Sequence, residues 1–141
     1  MNATRPFQTL RVILFVLSAI CGAGAVVLGF ATNWVLAIGT MPPPSNAVEY
    51  ALVKGFGLFI LALGYLLCVA ARDPARYVAV IDALIIILLG GAVLNVYCVV
   101  ALGLGAYYPA GYLIARAILE VILATIIFGL RPRAGGPLPA P

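Results

Sequence analysis

The chain has 141 residues, 65% of them hydrophobic and 9% charged, with eight basic and four acidic side chains, no histidine and a net charge of +4. An ordinary soluble domain carries about 25% charged residues, so this composition belongs to a chain built for lipid. The basic residues stand at the ends of apolar stretches, which reads as membrane topology and argues against a nucleic-acid interface.

The first apolar stretch runs from about Leu10 to Thr32, behind Arg5 and Arg11. At 1.5 Å per residue its roughly 23 residues can span about 30 Å of hydrocarbon. A secretory signal has an apolar core of only about 7 to 15 residues, so the reading is a retained helix, with cleavage near Ala25 or Ala31 as the competing one. Between Asn33 and Asn46, Trp34 fits an interfacial anchor, and Gly39 with Pro42, Pro43 and Pro44 predicts a loop that leaves the membrane.

A second helix is predicted over about 47–71. It ends at Arg72-Asp73-Pro74-Ala75-Arg76, where Asp73 suits an N-cap and Pro74 the first residue of a third helix over 74–102. The tight turn makes helices two and three antiparallel neighbours. Gly103, Gly105, Pro109 and Gly111 break the third helix, with Tyr107, Tyr108 and Tyr112 placed as an aromatic belt. The fourth helix is predicted over 112–130. The Pro/Gly-rich tail 131–141 has too little apolar content to fold alone. The predicted fold class is all-α: a polytopic membrane protein with an up-down bundle of four transmembrane helices.

Orientation follows from the short loops. Arg5, Arg11, Arg72, Arg76, Arg131 and Arg133 all fall on one side, and the two opposite loops, 33–46 and 103–111, have no basic residue. The positive-inside rule then places both termini and the tail in the cytoplasm. A bacterial cytoplasmic membrane is the expected location.

Cys21, Cys68 and Cys98 stand singly in apolar runs, without the paired spacing of a dithiol enzyme. With no histidine and isolated thiols, neither a metal site nor a haem site is expected, and no cofactor is predicted; a bound lipid is allowed. Gly22-Ala23-Gly24 and Gly90-Gly91 lack the strand and turn of a nucleotide-binding motif. The small residues fit packing better. Ser18, Gly22, Ala25 and Gly29 follow one face of helix one, and Gly57, Gly64 and Ala71 recur every seven residues on helix two. Small faces let helices approach closely in lipid, within this bundle or against another protein.

Lys54, Asp82, Arg116 and Glu120 lie inside the predicted spans. A charge near the bilayer centre costs a few kcal/mol even on mild insertion scales, so such residues normally face a partner or a cavity. Counted from the same ends of helices two and four, Lys54 and Glu120 sit at nearly equal depth, about 10 to 12 Å in. Glu49 and Arg116 lie slightly shallower, and Arg116 stands one turn from Glu120. Glu49, Lys54, Arg116 and Glu120 therefore form a candidate neutral polar cluster. It reads as a clasp between helices two and four, as a pocket for a lipid headgroup or small anion, or as side chains that snorkel to water. Asp82 is separate, with Arg11 and Arg76 as its nearest basic candidates, and Asn95 is a further polar position able to bond across helices.

The run Lys54-Gly55-Phe56-Gly57-Leu58 through Ala62-Leu63-Gly64-Tyr65, together with the Ala71-Arg72-Asp73-Pro74 turn, resembles the DoxX-like superfamily of small four-helix bacterial membrane proteins. The resemblance is best over helices two and three and carries no site residue with it. No nucleophile stands beside a base, so the expected function is non-enzymatic: an accessory or assembly subunit of a larger membrane protein complex. The alternative is a small transporter or a protein that binds lipid or another hydrophobic ligand through the charged cluster, as a homo-oligomer. Expected partners are membrane lipids and a membrane protein or a second copy, with no nucleic acid.

Overall fold

The computed structural model describes residues 7–33, 37, 44–103 and 110–132. Among these there is no strand and there are four long helices: α1 (Gln8–Phe30), α2 (Ala47–Arg72), α3 (Val78–Val100) and α4 (Ala110–Leu130). Each is long and apolar enough to cross a membrane. Their 21 to 26 residues correspond to about 32 to 39 Å of helix. The protein is an all-α integral membrane protein. Arg5, Trp34, Gly39, Pro42, Pro43, Gly105, Tyr107, Tyr108, Pro109, Arg133 and the tail beyond Pro132 lie outside the described residues.

The helix ends have local causes. Asn46 caps α2 by accepting the Glu49 amide at 3.0 Å, and Glu49 reaches back to accept the Ser45 amide at 2.6 Å. That reciprocal arrangement satisfies donors that the first helical turn leaves open. The α2–α3 connection differs from expectation. Asp73 caps a turn rather than a helix: its carbonyl accepts the Arg76 and Tyr77 amides, both at 3.2 Å, and its Oδ1 also takes the Arg76 amide at 3.2 Å. Pro74 is buried inside that turn, and α3 begins only at Val78, once the Tyr77 carbonyl has taken the Val80 and Ile81 amides. At its far end α3 is followed by Gly103, whose φ of 62° lies in the left-handed region that glycine adopts without steric cost.

The helices pair as two antiparallel hairpins. In the first, α1 and α2 meet along a seam of small residues. The Ser18 hydroxyl donates to the Gly64 carbonyl at 2.7 Å, and a Cβ added to Gly64 would stand 3.0 Å from Cys21 Cβ and 3.2 Å from the Ser18 carbonyl oxygen. Gly57 is closed by Leu28 in the same way, at 3.3 Å. Gly57, Gly64 and Ala71 are buried, so this stripe brings α1 and α2 together inside the molecule. In the second hairpin α3 and α4 run antiparallel, with Asp82 beside Arg131 and Asn95 beside Glu120.

The two hairpins meet at one end. The shared core consists of Leu10, Leu14, Leu67, Ala70, Ala71, Ile81, Leu84 and Ile127. All belong to the start of α1, the end of α2, the start of α3 or the end of α4. In the other half of the molecule, among the described residues, the four helices bury Ala25 and Gly57 in the first hairpin and Ala92 and Ala117 in the second, and Thr32 just past α1 is buried as well. Each of those pairs lies on its own hairpin's seam. The result is a bundle with a closed end, at the α2–α3 turn, and an open half in which the hairpins stand as separate pairs.

Candidate functional site

The expected four-residue cluster is divided in the structure. On the second hairpin, Glu120 is the centre of a polar group in the open half. Its Oε1 accepts from Arg116 Nε at 3.0 Å, and its Oε2 accepts from Asn95 Nδ2 at 2.9 Å. The carboxylate lies flat over Gly91, where an added Cβ would come within 3.1 Å of Oε2. Gly91 and Asn95 are one turn apart on α3, as Arg116 and Glu120 are on α4, so two glycine- or amide-bearing positions of one helix receive one carboxylate of the other. The Glu120 side chain is 14% exposed and Arg116 is 52% exposed. The acid is thus sheltered in the α3–α4 seam, while the guanidinium reaches outward.

Lys54 does not take part. Its ammonium donates to the Gly29 carbonyl, near the end of α1, and no carboxylate lies within 4.0 Å of it among the described residues. The physical reason is azimuth. At about 100° per residue, Lys54 is turned roughly 100° to 180° from Leu63, Leu67, Ala70 and Ala71, the α2 residues packed into or against the core shared with the second hairpin. Nor are Lys54 and Glu120 level: from the closed end Lys54 lies about 27 Å along α2 and Glu120 about 15 Å along α4, because α4 begins at Ala110 and the closed ends set the register. The clasp between helices two and four is therefore replaced by separate contacts within each hairpin.

Glu49 also leaves the cluster. Both its oxygens are taken by Ser45 and Asn46 in the α2 cap, with Asn46 Nδ2 donating to Oε1 at 3.0 Å. The signal was present in the sequence, since Asn followed three residues later by Glu ahead of an apolar run marks a helix start. Asp82 finds neither Arg11 nor Arg76. It pairs with Arg131, just past α4, whose Nη2 donates to Oδ2 at 2.7 Å; Nε stands 2.6 Å from Oδ1, outside hydrogen-bonding geometry. Antiparallel pairing of α3 with α4 brings the start of one helix beside the end of the other. That contact ties the two helices of the second hairpin at the closed end.

The remaining candidates for chemistry are dispersed. Cys21, Cys68 and Cys98 are half-buried and unpaired, and no group of three His, Cys, Asp or Glu side chains is found among the described residues. A groove of about 490 Å³ between α3 and α4, lined by Ala92, Val96, Ala117, Ile118 and Ile122 among others, carries no polar side chain. Comparison with protein-family models, curated proteins and solved structures returned no match. What the geometry can do is hold charge in lipid: one sheltered carboxylate on the second hairpin, and on the first Lys54, a cation inside a span with no carboxylate within 4.0 Å among the described residues.

Proposed function

We propose that the protein is a non-enzymatic accessory or assembly subunit of a larger membrane complex, and that its open half receives a transmembrane helix of the partner. One observation carries this reading: the hairpins share a core only at the closed end, although both are long enough to run side by side across the bilayer. Lipid offers no hydrophobic drive between helices, so close packing and polar contacts decide which helices associate. The Glu120–Asn95–Arg116 group supplies the polar contact, with Arg116 half exposed and able to meet an acceptor on the incoming helix. The resemblance to the DoxX-like superfamily is retained as a proposal alongside it.

The location proposed is the bacterial cytoplasmic membrane, with the closed end and its Arg72, Arg76 and Arg131 on the cytoplasmic side. Cysteines placed singly at Ser45 and Ala75 in a variant lacking the native thiols test this. An impermeant reagent applied to intact cells labels the first and spares the second; the reverse pattern overturns the orientation.

Purification in mild detergent at native expression tests the partner. The expected outcome is co-migration with a larger membrane protein, weakened by Arg116→Ala with the four-helix fold retained. A monodisperse free chain, unchanged by that substitution, overturns the reading. The transporter or ligand-binding alternative rests on the same carboxylate. It predicts that Glu120→Gln abolishes flux or binding while folded protein remains, whereas the subunit reading predicts only a modest loss of stability.

A further inference from the structure

Lys54, which has no carboxylate partner among the described residues, stands at the head of a groove. Near the open end, Thr32, Asn33, Tyr50 and Lys54 border a cavity of about 370 Å³ with polar side chains on its rim. Tyr50 donates to the Asn33 side-chain oxygen at 3.0 Å, which fixes that rim. Through Phe30 and Lys54 the cavity continues into an apolar groove of about 240 Å³ along Val26, Gly29 and Leu58. Through Leu58 and Leu61 that groove runs on into a third section, about 530 Å³, reaching Ser18 and Gly22. From Phe30 to Ser18 the α1 side covers about 18 Å. Half of a bilayer's hydrocarbon is about 15 Å. The groove is long enough for one acyl chain reaching the midplane.

Two glycines shape its floor. A Cβ added to Gly22 or Gly29 meets nothing within 4 Å, so neither is needed for the approach of α1 to α2, which Gly57 and Gly64 provide. Their absent side chains keep the groove open. Lys54 lies about 10 Å from the start of α2. That helix, at about 39 Å, exceeds the hydrocarbon thickness by roughly 9 Å; with the overhang shared between its ends Lys54 lies about 6 Å inside the hydrocarbon, a depth from which a lysine side chain reaches the headgroups.

We propose that the α1–α2 seam holds one anionic phospholipid, its phosphate at Lys54 and one acyl chain along the Gly29–Gly22 groove. Charge complementarity selects the occupant. Lys54 has a carbonyl acceptor but no carboxylate among the described residues, while the rim offers only neutral groups beside it. A lysine near a membrane surface favours anionic lipid by about 1 kcal/mol, roughly fivefold in occupancy. The site is independent of the partner reading, because it faces away from the second hairpin.

The test uses the full chain reconstituted from defined vesicles of phosphatidylglycerol and phosphatidylcholine, with lipids retained after detergent exchange counted by native mass spectrometry. Wild type is expected to keep one phosphatidylglycerol per chain, about fivefold over phosphatidylcholine. Lys54→Gln should abolish that preference and Lys54→Arg should keep it. Gly22→Leu combined with Gly29→Leu should reduce retention of both lipids while the protein melts with the wild type. Equal retention of both lipids by wild type overturns the proposal. So does an unchanged preference in Lys54→Gln, which would mean that the lysine only reaches for water, or full retention by a folded double-leucine variant.

Discussion

Glu120 illustrates how a charge is kept in a span at low cost. Its two oxygens are met by Arg116 on the same helix and by Asn95 on the next, and the absence of a side chain at Gly91 makes room for the carboxylate. Interhelical hydrogen bonds in membranes are worth about 0.6 to 2 kcal/mol. Asn95→Leu should therefore lower stability by about 1 kcal/mol, read as a shift in unfolding in detergent micelles. Glu120→Gln should cost less than Glu120→Leu, because the amide oxygen still accepts from Asn95 while leucine leaves both Asn95 and Arg116 without an acceptor. If the leucine variant is the more stable of the two, the contact is not a net stabiliser. At this scale the sequence revealed which residues were out of place in lipid. It gave position along each helix but neither the register nor the azimuth between helices, so Lys54 and Glu120 were matched although they differ in level and belong to different faces.

At the scale of the element, the decisive residues are glycines, and they divide by what surrounds them. Gly64 is closed by Cys21 and Ser18, whereas Gly90 meets nothing within 4 Å. Gly64→Leu should force α1 and α2 apart and cost about 1 to 3 kcal/mol, in the range of overpacked cores. Gly90→Leu should be tolerated. Thermal unfolding of the two variants side by side checks this, and equal effects would mean that the seam is not closely packed in solution. The seven-residue repeat Gly57–Gly64–Ala71 was legible because small residues in lipid have few other uses. The α2–α3 connection was legible only in part. Asp73-Pro74 announced a tight turn, but the Asp73 carbonyl and carboxylate both bond the amides that follow, and this delays α3 to Val78.

For the whole molecule the main feature is the difference between its ends. The apolar core joins the hairpins at the closed end, while Asp82–Arg131 ties only α3 to the end of α4; both charged side chains are more than one-third exposed, so that pair adds under about 1 kcal/mol. Most of the joining is apolar. Spin labels on Ala75 and Pro132 should report one narrow distance, because both sit at that end. Labels on Ser45 and Gly111, one on each hairpin of the open half, should give a broad distribution that narrows in the native complex. Narrow distances at both ends in the isolated protein would show that the open half needs no occupant.

Taken alone, the sequence determined that the chain belongs in lipid, that it crosses with four helices, and which side chains are anomalous there. Length, hydropathy and turn residues act locally, and each can be read along one dimension. The pairing into hairpins, the closed and open ends, and the separation of Lys54 from Glu120 were decided by tertiary structure. They depend on the rotation of each helix about its own axis. That rotation is set by which small residues let two backbones approach, and it becomes definite only when the neighbouring helix is in place.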